Sequence, residues 1–372
     1  MRTRNPFLTT EYTQDLKLFR GRLSQVALLA LLALYLYLPS QLDNAWLGIL
    51  NYIAMAAIGA IGLNLLTGFT GQVSLGHAFF MACGAFTAAY CTKNDWPFPL
   101  WLLAAVVVGG VLGALVGPVA LRLHGNYLAI VTIGLLFLGQ HIFTQIPAMR
   151  SITGGNRGTR IDASFAIGPI DFAELNIFGM VYDKEQGLFW LLWALVGLVA
   201  LLAKNIVRSR PGRAMQAIRD RDIAAEIMGI SLTRYKLGAF ALSSALAAMA
   251  GALYGAAIQG FVSAEEFGGI AGLIFSITFV AIIIIGGMGT VFGSILGAAF
   301  VVGLQRIISR YSDVLPFLGS GSGADAGIIS VASFNNAIFG VLLIVFLLAE
   351  PLGLAGVWNR IKMYFKLWPF SY

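Results

Sequence analysis

Long apolar runs alternate with short polar connectors along almost the whole chain. Ten of these runs have the uniformity and length of helices crossing a hydrocarbon core, roughly 18 residues for ~30 Å. They cover residues 23–38, 45–67, 75–92, 98–122, 126–147, 187–207, 237–259, 270–286, 288–308 and 331–349. The short alternating strands of a membrane β-barrel are missing. The pattern therefore predicts an all-α polytopic membrane protein of about ten transmembrane helices. One long polar stretch, Arg208–Lys236, interrupts it. The chain divides into an N-terminal tail (1–22), helices one to six (23–207, with an outer loop at 148–186), the insert (208–236), helices seven to ten (237–349) and a C-terminal tail (350–372).

Composition sharpens this reading. Of 372 residues, 58% are hydrophobic and 11% charged, against about 25% charged in soluble domains. The first run follows a basic leader but ends at Pro39 with no small-residue cleavage site, so it is expected to be a retained helix rather than a signal peptide. Cys83 and Cys91 lie eight residues apart on one predicted helix, roughly 12 Å along its axis. A disulfide needs Cα atoms within about 7 Å, so both are expected to be free and buried.

Charge is sorted by side. With the N-terminus cytoplasmic, five Lys/Arg of the N-terminal tail, Arg122, eight between Lys204 and Lys236 and three of the C-terminal tail fall inside. Seven fall outside, which is the bias of a multi-pass plasma-membrane protein with both termini cytoplasmic. Arg306 and Arg310 are the exceptions, expected to snorkel to the outer interface. The net charge of +7 thus points to cytoplasmic loops facing anionic lipid, not to nucleic acid.

Much catalytic and coupling machinery is missing. There is no phosphate-cradling G-x-x-x-x-G-K-[ST] loop and no metal-ligand spacing of Cys and His. His77, His124 and His141 are scattered, and no catalytic constellation is legible. No carboxylate occupies the middle of a run, whereas ion-driven carriers usually need one to bind the coupling ion. Energy is expected to come from another chain.

Glycine marks two further features. Gly109, Gly113 and Gly117, and likewise Gly289, Gly293 and Gly297, repeat at the spacing that lets helix backbones approach closely. They predict packing within the chain or a seam with another subunit. Two glycine-rich breaks, 64–77 and 285–293, join consecutive runs of like orientation. Each places Gly three apart with Val two further on (Gly68, Gly71, Val73; Gly286, Gly289, Val291). Interrupted segments at corresponding positions of two halves point to a transport pathway; ordinary tight turns at the inner surface are the alternative. Asn64, Thr67, Gly71, Gln72, Ser74 and His77, with Tyr127 and Thr132 downstream, make a neutral polar set suited to an uncharged or zwitterionic solute.

Within the insert, Pro211 suits a first helical position and Ala214, Ala217 and Ile218 form an apolar stripe. A second short helix is predicted with Asp222 as N-cap and Gly229 as C-cap, carrying Ala224 and Ala225 on its surface. Ser231 is placed to cap the next helix. Such a pair of helices fits a shaped protein groove; an amphipathic loop on anionic lipid is the alternative.

The run RSRPGRAMQAIRDRDIAAEIMGISLTRYKL resembles the cytoplasmic coupling loop of ABC importer permeases. Ala224-Ala225 and Gly229 stand in the places of its E-A-A…G motif, and Asp222 replaces the usual Glu. More narrowly, GLNLLTGFTGQVSLGHAFF (62–80), NYLAIVTIG (126–134), SITGGNRG (151–158) and IGGMGTVFGSILGA (285–298) resemble branched-chain amino acid importer permeases of the LivM type. That family also includes permeases for urea, amides and other amino acids. The stretch 159–186 has no counterpart among these blocks.

The resemblance implies a bacterial inner-membrane permease subunit that forms the path for a small neutral or zwitterionic solute, with branched-chain or other hydrophobic amino acids foremost. Its implied partners are a second permease subunit of the LivH type, two cytoplasmic ABC ATPases and an extracytoplasmic solute-binding protein. ATP and Mg would sit on the ATPases, with no cofactor on this chain. Arg213, Asp222, Ala224, Ala225, Glu226, Gly229 and Ile230 are the implied ATPase-coupling residues. A stand-alone carrier or channel would explain the breaks but not the insert. An intramembrane enzyme would need an acidic or His cluster, and Asp220-Arg-Asp222 is the one tight acidic pair.

Overall fold

A computed structural model describes residues 22–120, 127–168, 170–173, 175–177, 180–311, 318–319, 329–350 and 352–367. Arg122, His124, residues 1–21 of the N-terminal tail and most of 312–328 therefore lie outside the described residues. The helices are α1 (Arg22–Tyr37), α2 (Asn44–Leu63), α3 (His77–Lys93), α4 (Leu100–Ala120), α5 (Tyr127–Gln145), α6 (Pro147–Thr153), α7 (Lys184–Arg208) and α8 (Arg210–Asp220). They continue with α9 (Asp222–Ile227), α10 (Leu232–Leu253), α11 (Ala264–Phe267), α12 (Gly269–Gly286), α13 (Val291–Arg310), α14 (Val331–Ala349) and α15 (Gly353–Leu367). α2 and α10 run on into π-helical turns at Asn64–Gly68 and Tyr254–Gln259.

Among the described residues, seven helices are long and apolar enough to cross a membrane: α2, α4, α5, α7, α10, α12 and α13. The other three predicted runs also lie on helices, α1, α3 and α14. All ten runs are thus helical, while seven meet the length and apolarity requirement. The 148–186 loop adds two-residue strands, one pair tying Thr159–Arg160 to Phe261–Val262 just beyond α10. Residues 353–367 of the C-terminal tail form α15.

The core lies where α3 crosses α10. α3 is rich in small residues that let neighbouring backbones approach closely, and it is buried along nearly its whole length. Gly84 of α3 faces the Ala248 carbonyl so closely that any Cβ would overlap it, and Gly251 of α10 faces the Met81 carbonyl in the same way. The stripe Gly109, Gly113, Gly117 of α4 lies against Ala248, Ser244 and Leu237 of α10. Gly293 and Gly297 of α13 lie against Gly286 and Ile282 of α12. Both stripes therefore pack inside this subunit. α2 is antiparallel to α10, with Gly62 at Leu246, Gly59 at Ala250 and Tyr52 edge-on to Tyr254 at 5.8 Å. Cys83 and Cys91 are free and buried. Arg306 and Arg310 also have ring partners: their guanidinium carbons lie 3.9 Å from the Tyr52 ring centre and 5.2 Å from that of Trp46. Such cation–π stacking lowers the cost of a charge beside lipid.

Candidate coupling site and translocation element

The two glycine-rich breaks, far apart in sequence, meet at one end of the bundle. Asn64, at the start of the π turn closing α2, is buried and joins them. Its Nδ2 donates to the Thr290 carbonyl at 2.8 Å and to Ser294 Oγ at 2.7 Å, and its Oδ1 accepts from Gly289 N at 2.9 Å. A π turn leaves backbone groups out of the regular helical ladder, and such turns are frequent at functional sites. Gly68 closes this turn with its α-carbon against Asn64, where a Cβ would overlap the amide oxygen.

Residues 71–76 form neither an exposed turn nor a helix. They are an irregular connection into α3, with Gln72, Ser74 and Gly76 buried and Gly71 and Val73 exposed. Four hydroxyl side chains satisfy backbone groups here, as buried backbone requires. Thr67 Oγ1 donates to the Gln72 carbonyl at 3.0 Å, and Thr70 Oγ1 donates to the Leu66 carbonyl. Thr132 of α5 accepts from Leu75 N at 3.0 Å, and Ser276 of α12 accepts from Ala78 N at 3.1 Å.

Asn64, Thr67, Gln72, Ser74, His77 and Thr132 are all buried, and with Gly71 seven of the eight candidate path residues lie at the first break. Both amide atoms of Gln72, and Nε2 of His77, have no hydrogen-bonding partner among the described residues. Buried polar atoms without partners are uncommon and mark places where water or a ligand completes the set. The His77 ring packs against Phe279 at 4.7 Å. Gly71 is exposed and abuts the insert. Tyr127 does not join them: it is 64% exposed on the outside of α5, because the helix turns it away from the face that carries Thr132.

The insert folds into α8 and α9. Pro211 stands in the first turn of α8, and Gly212, Ala214, Met215 and Ile218 turn inward to anchor it. α9 departs from expectation in two ways. Arg221, not Asp222, occupies the extended N-cap position. Asp222 is instead the first helical residue, accepting from Ile223 N at 2.9 Å and lying 4.0 Å from Lys236. Ala224 is exposed but Ala225 is buried, so the two alanines do not share one outer surface; on a helix, adjacent residues point about 100° apart. Gly229 ends α9 as expected. Its φ of +85° allows Gly229 N to bond Glu226 O at 2.9 Å and Ile230 N to bond Ala225 O at 3.0 Å, the paired bonds of a Schellman stop. Ser231 holds the N-cap position of α10 without a side-chain capping bond. Arg213 is exposed and donates to the Arg208 carbonyl at 3.2 Å; Glu226 is exposed and Ile230 half-buried.

What the outer face of α9 presents is apolar. Ile223, Ile227 and Met228 are 73%, 80% and 82% exposed, one patch at helical spacing on an otherwise charged element. Sequence reasoning singled out the small residues here and passed over these large ones. It also passed over Arg219, Ser276 and Ser294, although an isolated serine in an apolar run is a readable sign of a buried bond. At the opposite end of the bundle, an open cavity of about 720 Å³ is bordered by Arg160, Asp162, Lys184, Gln259 and Phe261. Among the described residues no group of His, Cys, Asp and Glu could hold a metal.

Comparison with known proteins identifies the family. Residues 45–347 match the family described as branched-chain amino acid transport system / permease component. The chain is 32% identical over 301 residues to the high-affinity branched-chain amino acid transport system permease protein LivM of Salmonella typhimurium, covering 77% of this chain and 69% of that protein. The LivM protein of Escherichia coli matches to the same extent. A probable branched-chain amino acid transport permease protein LivH of Methanocaldococcus jannaschii is 25% identical over 324 residues, 85% of this chain and 93% of that one. No solved structure matches.

Proposed function

The chain belongs to the family of branched-chain amino acid transport system permease components, and from that premise we propose that it forms the membrane path of an ATP-driven importer for branched-chain amino acids. It is a multi-pass membrane transport subunit. Its insert faces the cytoplasm and both termini lie on that side of a bacterial inner membrane. ATP and Mg bind to two separate ATPase subunits. A second permease of the LivH type completes the path, and an extracytoplasmic binding protein delivers the solute.

The observation that carries this reading is α9. Three large apolar side chains, Ile223, Ile227 and Met228, stand exposed on a short helix with a rigid glycine stop. An exposed apolar patch rimmed by polar residues marks a protein contact, and helical spacing suits a groove in the partner. Asp222, Ala224, Glu226, Gly229 and Ile230 flank the patch along the chain, Arg213 stands on the preceding helix, and buried Ala225 sets the seat of α9 on the bundle. On the path side, the buried neutral groups at the first break suit a zwitterion, with unpartnered Gln72 and His77 as the groups that meet the solute.

Gentle purification of the tagged chain tests the proposal. A second permease and an ATPase should co-purify, and their hydrolysis rate should rise with binding protein loaded with leucine, isoleucine or valine. Stimulation by urea or short amides alone would move the substrate class. Purification of the chain without any ATPase would contradict the reading.

A further inference from the structure

The insert carries seven basic residues, and those that bond within it, such as Arg213 to the Arg208 carbonyl and Lys236 beside Asp222, only stiffen it. Arg219 does something different. From the last turn of α8 its Nη1 donates to the carbonyl of Gly68, the final residue of the π turn at the first break. A guanidinium is favoured at the carbonyl end of a helix, where unpaired oxygens and the helix dipole both attract positive charge.

Its position is defined from two sides. A Cβ built on Gly71 would lie 3.4 Å from Arg219 Cγ and 3.6 Å from its Cα, so the backbone and stem of α8 rest directly on the first break. A Cβ built on Gly289 would lie 2.7 Å from Arg219 Nη1, so the guanidinium also occupies the space over the second break. Each break thus presents a glycine to this one side chain. Between them, Asn64 bonds the turn that Arg219 holds to Gly289, Thr290 and Ser294. A displacement of Gly68 is therefore carried to the second break through a buried side chain with three hydrogen bonds.

We propose that Arg219 is a positioning residue that transmits movement of the insert to both breaks at once, setting whether the inner end of the path is closed. This rests on the reading of the chain as an ATP-driven permease. In the arrangement seen, the arginine clasps the two breaks together. Withdrawal of α8 by about an ångström or more takes the Arg219–Gly68 bond out of hydrogen-bonding range and lifts the clasp from both breaks, which then move as the pair that Asn64 joins. The residue is not needed to seat α8. Gly212, Ala214, Met215 and Ile218 are buried beneath that helix, whereas Arg219 as a whole is exposed.

The test uses the complete transporter in proteoliposomes and reads the number of ATP molecules hydrolysed per solute imported. In Arg219→Ala, the ATPases should co-purify in wild-type amount, and the ratio should rise about tenfold or more, as expected when one charge-assisted bond that couples two states is lost. Arg219→Lys keeps the charge but not the planar fork, and should fall between wild type and alanine. A residue that merely supports the fold would lower both rates together and leave the ratio unchanged. An unchanged ratio in both variants, or loss of the ATPases from the complex, overturns the proposal. If wild-type transporter imports nothing on ATP addition, the permease reading itself fails, and the variants need not be made to learn it.

Discussion

The two π turns of this bundle sit at opposite ends of the antiparallel pair α2 and α10, and they are held in opposite ways. At Asn64–Gly68 the bonds are long-range: Asn64 reaches residues 289, 290 and 294, and Arg219 reaches in from the insert. At Tyr254–Gln259 they are local: the Tyr254 hydroxyl donates to Glu266 and accepts from Gln259 Nε2 at 2.8 Å, all within thirteen residues. One end is a junction of the two breaks with the insert; the other keeps its side-chain bonds local, is tied by backbone to Thr159–Ile161, and opens onto a polar cavity. A junction of the first kind passes displacement from one element to another. A corner of the second kind can move as a unit without disturbing the far end.

Substitutions should reproduce this asymmetry. The largest effect is expected at the tip of the insert, where Ile227→Ala truncates the centre of the apolar patch. Loss of a contact hot spot of about 2 kcal/mol or more should lower co-purified ATPase roughly thirtyfold, with little change in the thermal stability of the isolated chain. Next is Asn64→Ala, which leaves buried backbone groups unpaired at the second break. It should cost about 1–3 kcal/mol, visible as a lower unfolding midpoint in detergent. Gly71→Ala follows: at φ +72° an added Cβ costs about 1–2 kcal/mol, and import should fall with it. Tyr254→Phe keeps the ring contacts and loses two local bonds whose partners, Gln259 and Glu266, are not buried, so about 1 kcal/mol and import within twofold of wild type are expected. The smallest effect belongs to Asp162→Asn, since the Arg160–Asp162 pair is exposed and such pairs contribute at most about 1 kcal/mol. A Tyr254→Phe defect as large as that of Asn64→Ala would remove the distinction between the two ends.

Periodicity made the helices legible, since ten apolar runs correspond to helices and the glycine stripes announce where backbones touch. The insert was legible by charge, and its Gly229 stop by the one residue type suited to that backbone. Asn64 was readable as part of a dense polar set, though nothing in the local sequence says that its partners lie more than two hundred residues away. Arg219 was hidden for the same reason: among seven basic residues, only tertiary packing distinguishes the one that faces two glycines. Asp222 was misplaced by one position because Arg221 adopts the extended backbone of the cap. Tyr127 was grouped with Thr132 by proximity in sequence, and helical phase separates them.

The central claim is that this chain moves solute only when energy enters through its insert. The most direct measurement is uptake of radiolabelled leucine into proteoliposomes holding the purified chain and its co-purified second permease, with binding protein, with and without the ATPase subunits and ATP. The account predicts uptake against a gradient with ATPases and ATP, and background levels without either. Equal, saturable uptake in their absence would contradict it and make the protein a carrier in its own right.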